Sequence, residues 1–334
     1  MKPKIKLYFT DFWPVFNIED NYFTELLSER FEIEISPENP DYIIYSAFGT
    51  DFLRYNCTRI FYTGENIRAD FMDCDWAFTF DFSDDHRQYR LPLYPLFGDI
   101  MQLTLPRPDL DQILREKTNF CNFIYSNAAN KIRMDFFTKL NAVKKVDSAG
   151  RLMNNTNKKV ENKLDFIKTY KFTIAFENES YPGYTTEKIF EPMLVNSIPI
   201  YWGNPLIGED FNTKSFLNYH DFETEQELIE RIIELDNNDE LYKKMLAEPF
   251  FKDNTPNKYV DRNNILDRFE KIFNTDIEPV ALSTPTAKHG VARDIYLLKR
   301  DAVFKICSIK QKLLNFNIHK LKVKIRKLKE KKGG

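Results

Sequence analysis

A lysine in the first turn of a helix sits against the local electrostatics. In Tyr184-Thr185-Thr186-Glu187-Lys188-Ile189, either threonine can cap a helix start. That puts Lys188 where unpaired N–H groups and about half a positive charge already gather. Such a cation is unfavourable unless an anion lies nearby. The same N–H groups suit a diphosphate, so Lys188 reads either as its ligand or as a solvated side chain. Glu187 either complements the macrodipole or accepts two hydrogen bonds from the vicinal hydroxyls of a ribose. Arg133, near the start of another helix, is read as lying off the apolar stripe of Phe136, Phe137 and Leu140 and so as facing solvent or a ligand. Its planar fork of donors suits a pair of diphosphate oxygens. Glu65 follows Thr63-Gly64 in a turn after an apolar run, where open α/β sheets place reactive groups. A carboxylate there can take a proton from an attacking hydroxyl. Phe12-Trp13 closes the first apolar run and can stack on a sugar face or pack in a core.

The scaffold follows from hydrophobic periodicity. Residues 5–9, 31–35, 42–47, 59–62 and 76–80 read as strands, and 19–30 as a helix with Tyr22, Phe23, Leu26 and Leu27 on one face. A proline-marked stretch, Leu105-Pro106-Arg107-Pro108, reads as an interdomain linker. The alternation then restarts. Strands are expected over 120–125, 172–176 and 198–202. Helices are expected over 131–143, 160–170, 186–195, 225–248 (broken near Asn237-Asn238) and 261–273. Short strands separated by single helices imply parallel sheets with crossover connections. The organisation expected is an α/β domain over 1–108, a second over 109–278, a flexible linker over 279–292 and a tail over 293–334.

Three ordered segments carry a family resemblance: Tyr170-Lys171-Phe172-Thr173-Ile174-Ala175-Phe176-Glu177-Asn178, then Tyr184 to Ile189, then Ser197-Ile198-Pro199-Ile200-Tyr201-Trp202-Gly203. Together they resemble the signature of the α1,3/4-fucosyltransferases, glycosyltransferase family 10, and among them the bacterial members. Phe61-Tyr62-Thr63-Gly64-Glu65-Asn66 and Asn130-Lys131-Ile132-Arg133-Met134-Asp135-Phe136-Phe137 agree with two further family segments. The resemblance implies a GT-B-like fold, two Rossmann-type α/β domains facing across a cleft. It also implies an inverting α1,3-fucosyltransferase that moves L-fucose from GDP-β-L-fucose to a Lewis-type glycan, commonly to O3 of N-acetylglucosamine. Glu65 would be the catalytic base. Arg133, Asn178, Tyr184, Glu187 and Lys188 would bind GDP-fucose, and Trp13 would lie on the acceptor side. The rival readings are another GDP-sugar transferase on the same scaffold, or a non-catalytic nucleotide- or carbohydrate-binding protein. Intact Glu65, Arg133, Glu187 and Lys188 argue against the last.

The D-x-D triplets Asp73-Cys74-Asp75 and Asp109-Leu110-Asp111 are set aside as metal motifs, because such triplets arise easily in a chain with 50 Asp and Glu. If Arg133, Lys188 and a helix N-terminus neutralise the leaving diphosphate, that task needs no ion or other cofactor. The four cysteines show no paired spacing, and reduced thiols are expected. The N-terminus shows no apolar signal region, so a cytoplasmic location is expected.

The near-neutral total of 48 Lys and Arg against 50 Asp and Glu hides an asymmetry: residues 293–334 hold 14 basic and 3 acidic residues. In that tail Leu314, Ile318, Leu321, Ile325 and Leu328 form one helical stripe, with basic flanks. This pattern suits the inner face of an anionic membrane, bound through residues 293–332, better than nucleic acid. A lipid-linked glycan acceptor would fit such a location.

Overall fold

The computed structural model describes residues 2–128, 130–157 and 160–283. The basic tail and most of the 279–292 stretch lie outside the described residues. Packing divides the chain into two compact units. Among the described residues, one contains 2–62, 69–77 and 275–283, and the other contains 63–68 and 78–274. The division therefore does not fall at residue 108. Ile100 and Leu103, just before the prolines, are buried in the same cluster as Ile189 and Phe190. The prolines mark a change of direction, not a change of core.

In the first unit, β1 (Lys4–Thr10) leads through α1 (Tyr22–Ser28) to β2 (Glu32–Ile35), followed by β3 (Tyr42–Tyr45) and β4 (Thr58–Tyr62). The strands pair in parallel in the order β2-β1-β3-β4. Helix α1 is shorter than its apolar pattern because Asn21 caps it. The Asn21 side chain accepts from Phe23 N and Thr24 N, while Thr24 Oγ1 accepts from Asn21 N. Phe23, Leu26 and Leu27 are buried beneath it. The start of the expected linker is ordered: Val280–Ser283 forms a short helix, Ala281 is buried, and Val280 N donates to Asp75 Oδ1 at 2.8 Å.

Strand β5 (Trp76–Thr79) spans the division, and β6 (Gln88–Arg90) belongs to the second unit. There α2 (Leu110–Glu116), β7 (Asn119–Phe123), α3 (Lys131–Val143), β8 (Val146–Ser148) and α4 (Lys163–Ile167) precede β9 (Tyr170–Phe176). Next come α5 (Glu187–Leu194), β10 (Ile198–Trp202), β11 (Leu217–Asn218), α6 (Glu225–Asn237), α7 (Asp239–Ala247) and α8 (Arg262–Phe273). The sheet order is β11-β10-β9-β7-β8, every pair parallel. This is a doubly wound order whose direction reverses between β7 and β9. Ligands of open α/β sheets bind beyond the carboxyl ends of strands at such a reversal. Phe172, Ile174 and Phe176 of β9 pack on one face with Phe136, Phe137 and Leu140 of α3. Ala175 and Tyr201 face the opposite cluster with Ile189, Phe190 and Met193 of α5.

Candidate active site

The carboxyl end of β9 lies at the reversal point, and α3 and the loop to α5 converge on it. Asn130 caps α3 by accepting from Arg133 N, and its Nδ2 donates to the carbonyls of Glu177 and Asn178, each at 3.0 Å. Arg133 does not face solvent. It is fully buried, because its spacing before Phe136, Phe137 and Leu140 is that of the apolar stripe itself. Its guanidinium lies 3.9 Å from the Tyr125 ring centroid. Its Nη2 donates to the carbonyls of Phe176 and Glu177 at 2.9 and 2.8 Å and to Asn178 Oδ1 at 3.0 Å. No carboxylate pairs with it among the described residues, and its buried Nε has no hydrogen-bond partner there. A buried cation without a counter-charge is costly, which favours an anion close to this strand end.

Thr186 is the residue that caps α5, and the anions that balance Lys188 belong to the protein. The fully buried Glu177 carboxylate accepts from Thr186 N and Thr186 Oγ1, each at 2.7 Å. Lys188 Nζ lies 3.2 Å from Glu177 Oε2 and 3.3 Å from Glu187 Oε1, and it donates to Thr186 Oγ1 at 2.8 Å. Burial opposes the Lys188 charge, but Glu177 and Glu187 overcome it and hold the ammonium above the ordinary lysine range. For Glu187, burial is outweighed by Lys188 and then Lys163, so its carboxyl titrates low. Burial pushes Glu177 up, against the pull of Lys188. The lysine at the helix start is thus explained before any ligand arrives, and Glu177, unassigned by the sequence reading, is the group that explains it.

The loop between β9 and α5 is fixed from below. Arg90 and Asp210 form a buried bidentate pair, Nη1–Oδ1 and Nη2–Oδ2 both 2.8 Å. Asp210 also accepts from Thr185 Oγ1 at 2.8 Å and from Asn257 Nδ2 at 3.0 Å. Arg90 Nη2 reaches the Gly183 carbonyl at 3.3 Å. Gly183 has φ +85°, and a Cβ there would fall 2.3 Å from the Phe80 carbonyl oxygen. Tyr184 is buried with its ring edge-on to Phe80, 5.1 Å between centroids, so it packs the loop.

Glu65 lies partly exposed on a turn that packs with these same elements. Its N–H donates to Thr63 Oγ1 at 3.0 Å, and Thr63 N donates to the Phe78 carbonyl. Partial burial raises its carboxyl above the ordinary range. Lys188 draws it back down, and Glu187 and Glu179 add to the rise. The structure therefore brings Glu65, Arg133, Asn178, Tyr184, Glu187 and Lys188 into one unit.

Trp13 belongs to the first unit, in the loop after β1 at the point where that sheet also reverses direction, between β1 and β3. It stands edge-on to Phe12, Phe16 and Phe48, with centroids 5.4, 5.4 and 6.4 Å away. Phe12, Trp13 and Phe16 are half-buried and Phe48 is exposed, which makes the group a rim rather than a core. The acidic triplets have structural work. Asp75 accepts from Arg59 N as well as Val280 N, and Asp109 caps α2.

Two family models match the chain: the alpha-(1,3)-fucosyltransferase FucT N-terminal domain over residues 7–97, and the C-terminal domain of glycosyltransferase family 10 (fucosyltransferase) over 114–248. The alpha-(1,3)-fucosyltransferase FucT of Helicobacter pylori is 31% identical over 288 residues, 74% of this chain and 60% of that protein. The chain thus spans less than two thirds of that relative's length. Alpha-(1,3)-fucosyltransferase B of Drosophila melanogaster is 42% identical over 80 residues, 24% of this chain and 18% of its own. A crystal structure of an alpha1,3-fucosyltransferase aligns with TM-score 0.74 at 28% identity, covering 84% of this chain and 92% of that one. A crystal structure of alpha1,3-fucosyltransferase with GDP-fucose gives 0.71 at 28%, covering 83% and 92%. Matched in both family domains, in order, and sharing a fucosyltransferase fold, the chain belongs to glycosyltransferase family 10.

Proposed function

We propose that this chain transfers L-fucose from GDP-β-L-fucose to a glycan hydroxyl, O3 of an N-acetylglucosamine in a Lewis-type acceptor, with inversion. The observation that carries the reading is the packing of the Glu65 turn with the elements that hold Glu187 and Lys188. A base and a diphosphate-binding helix start are what this reaction requires. Glu65 takes the proton of the acceptor hydroxyl as its oxygen attacks the fucose anomeric carbon. The bond from that carbon to the diphosphate oxygen breaks, its electron pair leaves with GDP, and the β-linked donor becomes an α-linked product.

Lys188, the N–H groups of α5 and the buried Arg133 charge stabilise the departing diphosphate. Glu187 accepts from the ribose hydroxyls, and Asn178, oriented by Arg133, contacts the donor beside Tyr184. Trp13 and its aromatic neighbours offer a sugar-stacking face to the acceptor. Those charges make a divalent ion unnecessary for leaving-group departure, so chelation with EDTA should leave the rate unchanged. A radiolabel transfer assay with GDP-fucose against a panel of disaccharides tests the whole reading. Transfer to type 1 or type 2 N-acetylglucosamine disaccharides supports it, and transfer to none contradicts it.

The basic tail is assigned to the anionic inner surface of the cytoplasmic membrane, where each Lys or Arg adds about 1 kcal/mol. No helix among the described residues is long and apolar enough to cross a membrane. Truncation after Gly290 should preserve transfer to soluble disaccharides and abolish co-sedimentation with anionic liposomes. Equal sedimentation of the two forms contradicts the assignment.

A further inference from the structure

Six residues, 63–68, leave the first unit's chain path and pack with the second. Thr63 orders the near end of this turn through the Glu65 backbone, and Arg68 is the side chain placed to fix its far end. Its guanidinium lies 3.7 Å from the Tyr181 ring centroid and 4.8 Å from that of Phe80. Its Nε pairs with Asp81 Oδ1 at 3.1 Å, and its Nη2 donates to Asn66 Oδ1 at 3.0 Å. The Asn66 amide then donates to Glu179 Oε2. Arg68 thus joins the residue next to Glu65 to the loop that runs from β9 to α5, on both its edge and its face.

We propose that Arg68 is a positioning residue for Glu65, latching the base-bearing turn to the donor-side loop through Tyr181, Asp81 and Asn66. The proposal rests on Glu65 being the base. Arginine is needed because one planar group must stack on a ring and donate from two nitrogens at fixed angles, which a lysine ammonium cannot do. Asp81 is itself steadied, since its N–H donates to Thr79 Oγ1 and its Oδ2 accepts from the same hydroxyl, both at 3.2 Å. A misplaced base by about an ångström is enough to cost a hundredfold in rate.

The test is a double-mutant cycle on the full chain, with fucose transfer rates and GDP affinity measured side by side. Arg68→Ala should lower kcat by about 10–100-fold with GDP affinity unchanged, because the latch touches the base and not the nucleotide. Arg68→Lys should recover only part of that loss. In a Glu65→Gln background, Arg68→Ala should cost less than about 2-fold, because there is no longer a base to misplace. Tyr181→Phe, which keeps the ring, should retain wild-type kcat, and Tyr181→Leu should resemble Arg68→Ala. An equal loss in both Glu65 backgrounds, a loss of GDP affinity in Arg68→Ala, or a wild-type kcat for Arg68→Ala overturns the proposal. If Glu65→Gln alone keeps full turnover, the base assignment has failed, and that result is read separately from the latch.

Discussion

Lys188 Nζ lies 3.2 Å from Glu177 Oε2, and that carboxylate is completely buried at the end of β9. The contact ties the start of α5 to the strand that leads into the donor loop. It also lets a cation sit at a helix N-terminus without a bound anion.

Glu177→Ala should therefore destabilise the protein by about 3–5 kcal/mol, because it leaves Lys188 short of its inner partner and Thr186 N unsatisfied. Glu177→Gln keeps an acceptor for Thr186 and should cost less. Urea unfolding of the three proteins checks the order. Equal midpoints for wild type and Glu177→Ala would show that the pair carries no stability.

Arg133→Ala and Lys188→Ala should each weaken GDP binding and slow transfer by at least about 10²-fold, the size expected for losing a positive charge that stabilises the diphosphate by roughly 2–4 kcal/mol. Arg133→Lys should fare little better, because an ammonium has neither the planar face that lies 3.9 Å from the Tyr125 ring centroid nor a second nitrogen to reach the Asn127 carbonyl. Calorimetry with GDP on folded variants is the measurement. Unchanged affinity in both alanine variants would remove them from the donor site.

Much of the scaffold is legible in the sequence, for a physical reason. β10 and α3 match the expected 198–202 and 131–143 to the residue because each combines a strong apolar pattern with a turn or cap at its ends. The break between α6 and α7 was visible in Asn237-Asn238, and Asn238 does cap α7. Strands β6, β8 and β11 have only two or three residues, too few to show a period. The helix expected over 160–170 contracts to Lys163–Ile167, because Asn162 caps it late and the chain enters β9 at Tyr170. The candidate site was legible as residue types in a motif, not as geometry. Glu177 reaches Thr186 across nine positions through a loop, a contact that no periodicity reports. Arg133 lies on the stripe and not off it, because its three-residue spacing before Phe136 is helical and a pattern counted on apolar residues alone leaves a buried arginine out.

Asp210→Ala should be among the most damaging changes away from the reacting groups. It strands the buried Arg90 guanidinium and removes an acceptor from Thr185 and Asn257, at a cost of about 3–5 kcal/mol. A thermal melt should show a clear drop, with GDP affinity falling in the fraction that stays folded. A wild-type melting temperature would mean the loop is held by other contacts.

The central claim is that Glu65 is the base, and the pH dependence of kcat/KM in wild type and Glu65→Gln tests it most directly. The carboxyl is raised, so its basic form is lost as pH falls through a value above the ordinary glutamate pKa of about 4.3. Wild-type kcat/KM should decline on the acid side with that apparent pKa. Glu65→Gln should fold, bind GDP-fucose, turn over about 10²–10⁴-fold more slowly and lose the acid limb. Wild-type turnover in Glu65→Gln, or the same acid limb in both proteins, would contradict the account.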